Sequence, residues 1–156
     1  MSRRDQIRMT DEEVRDFVRG SKTIILCSSG PDGVPHPMPM WFVADDDLCI
    51  RMTTYGKSQK VLNLERDPRA SLLVEAGEAY EELQGVLMYG KVELVRDTEQ
   101  VIDTLLDASN TRPGDDPEQT KAVRESMRAN ASKRVLMRFR PDRVVSWNHA
   151  KLAGIY

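Results

Sequence analysis

The sequence predicts an antiparallel β-barrel of six or seven short strands with helices packed outside it, a mainly β fold of the α+β class. Most of the predicted strands are joined by tight turns, which connect antiparallel neighbours. The one strand–helix–strand step lies over residues 48–76. No Gly-x-Gly-x-x-Gly pattern follows the first strand, which argues against a doubly wound dinucleotide-binding sheet.

Length and composition indicate one globular domain over residues 1–156, with 40% apolar and 31% charged residues. The net charge of −2 argues against a nucleic-acid partner. No apolar run approaches the roughly 18 residues of a membrane span, and the N-terminus lacks the apolar segment of a secretory signal. Cys27 and Cys49 lie in apolar runs and fit no metal-ligand spacing. We therefore expect free thiols, no metal site and a reducing, cytoplasmic location.

The first part of the chain combines one helix with three strands. Thr10 and Glu13 form a capping-box pattern, and apolar residues follow at helical spacing, so residues 10–20 should form an amphipathic helix. Gly and Pro residues over 30–33 favour a hairpin turn. Three prolines in the second predicted strand favour an edge position or an irregular strand. The three strands are predicted at residues 23–28, 35–44 and 48–54.

The second part starts with a predicted helix over residues 57–66, which ends at Asp67-Pro68. A long helical insert is predicted at 98–133, with helices at 98–107 and 118–131. The last two strands should be joined by a turn at Pro141-Asp142. The strands of this part are predicted at residues 69–76, 83–96, 134–139 and 143–147.

The most informative segment joins the third strand to the helix that follows it. Thr53 and Thr54 end the strand, and the first turn of the predicted helix holds Lys57, Ser58 and Lys60. A helix N-terminus presents free N–H groups and the positive end of the helix dipole, so it binds anions readily. Two lysines there oppose the dipole unless an anion is bound, and this predicts a phosphate site. The alternative is a solvated helix start capped by Ser58.

These residues, with others in the same order along the chain, resemble the pyridoxamine 5'-phosphate-oxidase-like split-barrel family. Ser58-Gln59-Lys60 stands where flavin-binding members have Ser-Arg-Lys, so a glutamine replaces the arginine. Asp67-Pro68-Arg69-Ala70 stands in place of Asn-Pro-x-Ala. The stretch from Asp32 to Trp41 is similar to the strand beside the flavin ring, and residues 141–147 resemble the last strand of the family.

The resemblance implies a split-barrel homodimer that binds FMN or the deazaflavin coenzyme F-420 between its subunits. It implies an oxidoreductase that transfers a hydride between this cofactor and a small conjugated or aromatic substrate. No catalytic side chain is obligatory, because the cofactor carries the chemistry. The implied cofactor-binding residues are Lys57, Ser58 and Lys60 at the phosphate, Arg51, Met52, Thr53 and Thr54 along the ribityl chain and ring, and Pro39, Met40, Trp41 and Trp147 beside the ring.

Two features leave the choice of cofactor open. The glutamine in the triplet is more usual in the branch of the family that uses coenzyme F-420. The acidic run from Glu75 to Glu82 would repel the polyglutamate tail of that coenzyme, although its simpler interpretation is a solvated loop. FMN and coenzyme F-420 therefore both stay candidates.

Several of these residues also have a purely structural interpretation. Trp41 and Trp147 are equally suited to a core or an interface. His36 and His149, the only two histidines, lie at predicted turns or strand ends and have no recognisable Ser or Cys partner. The alternative from another functional class is a non-catalytic protein that binds or sequesters a flavin, coenzyme F-420 or haem.

Overall fold

The computed structural model describes residues 2–111 and 116–153. These residues contain seven strands, five α-helices and two 3₁₀ helices, the latter at Tyr80–Glu82 and His149–Leu152. The strands and α-helices, in chain order, are α1 (Arg3–Gln6), α2 (Asp11–Gly20), β1 (Thr23–Ser29), β2 (Pro35–Trp41), β3 (Val43–Ala44), β4 (Ile50–Tyr55), α3 (Gln59–Arg66), β5 (Arg69–Ala76), β6 (Gln84–Val95), α4 (Thr98–Ala108), α5 (Pro117–Ala131) and β7 (Arg134–Asn148).

All seven strands form one antiparallel sheet in the order β2-β1-β5-β6-β7-β4-β3. β2 and β3 lie at opposite ends of this order, yet only Phe42 separates them in the sequence. Two residue steps span at most about 7 Å, so the sheet must curl until its two edges meet. This curl confirms the predicted split-barrel fold.

The main hydrophobic core lies inside the curled sheet. Alternate residues of β1, β5 and β6 point inward, as the two-residue period of a strand requires, and α2 adds Val14 and Val18 from outside the sheet. Each such side chain contributes roughly 1.5–3 kcal/mol when it is fully buried. The inward residues of these three strands are at most 1% exposed and are Ile24, Leu26, Leu72, Val74, Val86 and Met88.

The outer face of the sheet divides into a covered part and an uncovered part. The α4–α5 hairpin packs on the outer face of β7 through a second cluster, which includes Ile102, Leu106 and Leu136. Across the other strands, one row of paired residues stays half-buried or exposed and has no helix over it among the described residues. This row, the outer apolar row, consists of Pro39, Ile25, Leu73, Leu87 and Val145.

The structure corrects two of the predicted boundaries. The predicted strand at 35–44 is interrupted at Phe42, where the chain turns the corner between the two edges of the sheet. The helix predicted from residue 57 begins at Gln59. Apart from the last two predicted strands, the other predicted helix and strand boundaries lie within about two residues of the structure. None of the helices in the described part of the chain is long and apolar enough to cross a membrane.

The predicted turn at Pro141-Asp142 is wrong, because β7 runs through it as one continuous strand. The register passes from Tyr89↔Arg143 to Gly90↔Pro141, so Asp142 is the extra residue of a β-bulge. A bulge tolerates a proline, which has no N–H to donate. A Cβ at Gly90 would overlap the Arg140 carbonyl oxygen, so a glycine is needed opposite the bulge.

Candidate functional site

The segment where β4 meets α3 places three predicted site residues together. The Lys60 Nζ donates a hydrogen bond to the Thr54 hydroxyl at 3.1 Å, and the Thr54 and Ser58 hydroxyls lie 3.5 Å apart. Lys60 is half-buried, and this burial lowers the pKa of its ammonium group. No carboxylate of the described residues forms an ion pair with it. The cluster therefore has an uncompensated positive charge.

The start of α3 is not capped by a side chain. Ser58 occupies the N-cap position with an extended backbone, but its hydroxyl makes no capping hydrogen bond. The other four α-helices each have a capping side chain, from Ser2, Thr10, Asp97 and Asp116. The N–H groups of Gln59 and Lys60, the first two of α3, have no acceptor within the helix. Ser58 therefore stands at the N-cap, as the alternative of a solvated helix start expects, but its side chain does not cap the helix.

Lys57 lies outside this cluster. It precedes the N-cap and is exposed, so it does not share a helical face with Lys60 as the predicted helix boundary implied. The family's arginine position, Gln59, does not contact the cluster in the described structure either. Its amide donates to Asn63 Oδ1 at 2.9 Å, and Asn63 donates in turn to the Ser28 hydroxyl at 3.1 Å. This buried chain of hydrogen bonds, which sequence reasoning missed, fixes α3 against β1.

The end of β2 lies next to the end of β4. β3 pairs with β4 as Val43↔Arg51, and continuing this register places Trp41 opposite Thr53. Both line a small cavity on the outer face of β4. Trp41 is 79% exposed, and Pro39 is also exposed. Met40 faces inward and packs against the main core. The predicted ring-binding residues of β2 thus lie beside the hydroxyl-bearing end of β4.

Two of the four predicted β4 residues have side chains that are engaged elsewhere. Met52 is 1% exposed and belongs to the main core. Arg51 faces outward and pairs with Asp45 and Asp107, each at 2.9 Å. The hydrogen bond from Arg51 to Asp45, followed by the one to Asp107, raises the pKa of the guanidinium. Side-chain alternation along β4 therefore places Arg51 on the face opposite Thr54, whereas Met52 shares the face of Thr54 but is buried in the main core.

Trp147 lies far from the other predicted site residues of the same chain. Its indole covers Gly85 on the neighbouring strand, where a Cβ would overlap the ring. Trp41 lies opposite Thr53, which pairs with Leu136 near the start of β7, whereas Trp147 lies near the other end of that strand. At about 3.3 Å per residue, roughly 35 Å of strand separates Leu136 from Trp147, so Trp41 and Trp147 of one chain do not flank the same planar ring.

The two histidines differ in their surroundings. The Nδ1 atom of His36, on β2, is buried and has no hydrogen-bond partner among the described residues. The Nδ1 atom of His149 lies 2.9 Å from the Tyr80 carbonyl oxygen, and the two rings are 4.6 Å apart. His149 thus joins the two 3₁₀ helices, away from the Lys60 cluster. No sequence pattern indicated the buried position of His36 or the contact of His149 with Tyr80.

The buried thiol of Cys49 lies within 4.8 Å of carboxylate oxygens of Asp45 and Asp47. Burial raises the pKa of this thiol. Both carboxylates are already matched, because Arg51 pairs with Asp45 and Arg140 pairs with Asp47 at 2.6 Å. Ion pairs with two arginines therefore account for both carboxylates of this group. Cys27 and Cys49 are both free cysteines.

Comparison with known proteins identifies the family to which this fold belongs. The family model of pyridoxamine 5'-phosphate oxidase matches residues 10–148. The chain belongs to the pyridoxamine 5'-phosphate oxidase family. No curated protein gives a significant match.

Solved structures of this family resemble the chain over most of its length. The conserved hypothetical protein Rv2991 of Mycobacterium tuberculosis is 36% identical, with a TM-score of 0.83, and the match covers 100% of this chain and 95% of that one. An F420 reductase is 23% identical, with a TM-score of 0.61 and coverage of 83% and 94%. An FAD-binding protein of Mesorhizobium loti is 14% identical, with a TM-score of 0.62 and coverage of 88% and 92%. The last two likenesses show the shared fold.

Proposed function

We propose that this protein is a flavin- or deazaflavin-dependent oxidoreductase that transfers a hydride between FMN or coenzyme F-420 and a small conjugated or aromatic substrate. The observation that carries the proposal is the half-buried Lys60 ammonium group, which lies at an uncapped helix start and has no carboxylate partner in the described part of the chain. The bound cofactor would supply the hydride chemistry. The chain's own residues would bind, orient and desolvate it.

The phosphate of the cofactor would lie at the start of α3. Lys60 would provide the charge, the Ser58 and Thr54 hydroxyls two further donors, and the free N–H groups of Gln59 and Lys60 the rest. This donor set fits a phosphate, because an anion there satisfies the helix terminus and the lysine together. Lys57, exposed and before the N-cap, would add only long-range attraction.

The ring of the cofactor would lie beside the end of β2. Pro39 and Trp41 would line one side of it with their exposed side chains, and Met40, which packs against the main core, would contact it only through its backbone. The Arg51 and Met52 side chains already have structural partners. We therefore propose that these two residues would contact the cofactor only through their backbone atoms.

We further propose a homodimer built on the outer apolar row. Exposed apolar surface of this kind favours a protein interface, and a two-fold contact is the commonest way to cover it. It would also let Trp147 reach the ring from the second copy, which it cannot do within one chain. We expect about 2,000 Å² or more of total buried surface. Sedimentation at micromolar concentration should show a dimer, and a monomer there would refute this part.

The test of the function is a pair of visible-absorbance titrations, with FMN and with coenzyme F-420, followed by turnover assays with a quinone, a nitroaromatic compound and an enone. We expect saturable binding of one cofactor and reduction of at least one acceptor. Tight binding without turnover of any acceptor would support the sequestering function instead. Failure of both cofactors to bind would refute the proposal. A cytoplasmic location stays a prediction from the sequence.

A further inference from the structure

A second candidate binding site lies on the outer face of β4, opposite the face that carries the Lys60 cluster. It is a cavity of about 180 Å³ between α4 and the corner of β2 and β3, which corresponds to about six water volumes of roughly 30 Å³ each. We call it the Arg134 cavity. Its lining residues are Trp41, Phe42, Arg51, Met52, Thr53, Thr104, Leu105, Ala108 and Arg134.

Arg134 is held in place but retains free donors. Its Nε donates to Asn130 Oδ1 at 2.7 Å, and its guanidinium carbon lies 4.4 Å from the centre of the Tyr55 ring. Within the described residues, the two terminal nitrogens have no acceptor and no carboxylate pairs with the charge. Arg51, the other arginine of this cavity, pairs with Asp45 and Asp107. Of the two arginines that line the cavity, Arg51 therefore has carboxylate partners and Arg134 has none among the described residues.

Two further features of the cavity point to a ligand. The Thr53 hydroxyl is half-buried and makes no hydrogen bond with another described residue. Trp41 forms one wall and is 79% exposed, so a large aromatic surface is left uncovered. Small-molecule sites typically combine an apolar wall with a few convergent polar groups.

We propose that the Arg134 cavity binds the carboxylate of an aromatic substrate. The planar guanidinium matches the two oxygens of a carboxylate, and the Thr53 hydroxyl donates a further hydrogen bond. The side of the Trp41 indole that lines the cavity covers the attached ring, and its other side stays available to the cofactor ring. Because all three groups belong to the chain, the Arg134 cavity binds the carboxylate in the absence of the cofactor. Thr53 and Thr54 point to opposite faces of β4, so the carboxylate and the cofactor phosphate occupy separate positions.

The experiment uses benzoate as the probe and its neutral counterpart benzamide as the matched ligand. The chain has only two tryptophans, so the two indole N–H signals in a ¹⁵N–¹H spectrum are assigned with the variant Trp147→Phe. We expect benzoate to shift the Trp41 signal saturably and to bind about tenfold more tightly than benzamide. Arg134→Gln should weaken benzoate binding by about tenfold and leave benzamide binding unchanged, the effect of one charge-assisted contact.

Three variants test the assignment of the donors. Arg143→Gln is the matched control, because Arg143 lies on the same strand and over a tyrosine ring at 4.1 Å, but does not line the cavity. It should leave benzoate binding unchanged. Thr53→Val should weaken benzoate binding by about threefold, and Arg134→Lys should fall between the wild type and Arg134→Gln. These two variants keep the test decisive if Arg134→Gln folds poorly.

Three outcomes overturn the inference. The first is equal affinity for benzoate and benzamide, and the second is no shift of the Trp41 signal at tens of millimolar benzoate. The third is loss of benzoate affinity in Lys60→Ala to the same extent as in Arg134→Gln, which places the carboxylate at the start of α3. The test needs no bound cofactor, so failure of the proposed function leaves its result intact.

Discussion

The starts of α3 and α4 are built in opposite ways. The N-cap of α4 is Asp97, whose carboxylate accepts hydrogen bonds from the Glu99 and Gln100 N–H groups. Glu99 adds a second negative charge in the first turn. α3 has no capping side chain, and Lys60 puts a positive charge at the positive end of its dipole. The α4 start is complete by itself, whereas the α3 start is electrostatically unfavourable until an anion is present.

The charges around the two helices differ in the same way. On the α4–α5 hairpin, Arg124 pairs with Glu99 and Asp103, and Arg128 pairs with Glu99 and Glu125. Around β4 and α3, the cations Lys60 and Arg134 have no carboxylate partner among the described residues. Paired charges of this kind stabilise the fold, whereas unpaired cations indicate where an anionic ligand would bind. The following predictions test this distinction.

The largest expected effect is on cofactor affinity. A charge-assisted contact from Lys to phosphate contributes about 1.5–3 kcal/mol, so Lys60→Ala should weaken binding of FMN or coenzyme F-420 by roughly 10- to 150-fold. Titration at fixed ionic strength measures the dissociation constant. Lys57→Ala is the control, since it removes the same charge three residues earlier from an exposed position. It should change affinity by only about twofold.

The same variant has a second readout in the cofactor-free protein. Removing the Lys60 ammonium group relieves an unfavourable charge at the start of α3, so the melting temperature should stay constant or rise slightly. A clear loss of stability without cofactor would mean that Lys60 supports the fold. Equal dissociation constants for Lys60→Ala and the wild type would place the phosphate elsewhere.

The next effect concerns the packing of α3 against β1. Asn63 is fully buried and bridges Gln59 and Ser28. Asn63→Ala leaves the buried Ser28 hydroxyl without this partner, which should lower the free energy of unfolding by about 1–3 kcal/mol. Urea unfolding measures the change, with exposed Gln119→Ala on α5 as the control. Cofactor affinity should fall as well, because the helix start moves with the helix. Unchanged stability would show that the hydrogen-bonded chain is dispensable.

The fold was predictable because its signals are local. The capping box at Thr10 and Glu13 forms as the sequence indicates, and the strand predicted at 69–76 has those bounds in the structure. The strand–turn–helix at Thr54 and Lys60 is also a local pattern, and these two side chains do contact each other. Short-range periodicity and capping chemistry are therefore sufficient for the elements and for the centre of the candidate site.

The features that sequence reasoning missed all depend on strand register or on close packing. Arg134 lines the Arg134 cavity because it pairs opposite Tyr55 on β4, and nothing in the sequence of residues 134–139 indicates this pairing. Pro141-Asp142 has the composition of a turn, but its place opposite Gly90 makes it a bulge. The separation of Trp147 from Trp41 likewise follows only from the register of β7 with β4 and the length of β7.

A smaller effect should appear in the pH dependence of cofactor binding. Burial lowers the pKa of Lys60 in the free protein, from a usual value of 10.5, and a bound phosphate would raise it again. Affinity for FMN should therefore fall as the pH rises through the lowered pKa. The stability of the free protein should show the opposite sign, since the unfolded chain binds more protons between the two pKa values. Lys60→Ala should abolish this part of the affinity profile, and an unchanged profile would contradict the assignment.

The smallest expected effect lies in the hairpin. Arg124, and then Arg128, lowers the pKa of Glu99 by hydrogen bonding, so this carboxylate supports folding above its usual pKa and loses that contribution as the pH falls through the lowered value. Exposed ion pairs contribute little, even in a network, so Glu99→Gln at neutral pH should lower the melting temperature by no more than about 3 °C. Glu118→Gln is the control, because it makes the same change in the first turn of α5 at a carboxylate that forms no ion pair with another described residue. FMN affinity should be identical in both variants, because the hairpin charges are matched within the chain. A weakened affinity in Glu99→Gln alone would show that α4 and α5 help to form the cofactor site, and the distinction between regions of paired and of unpaired charges would then fail.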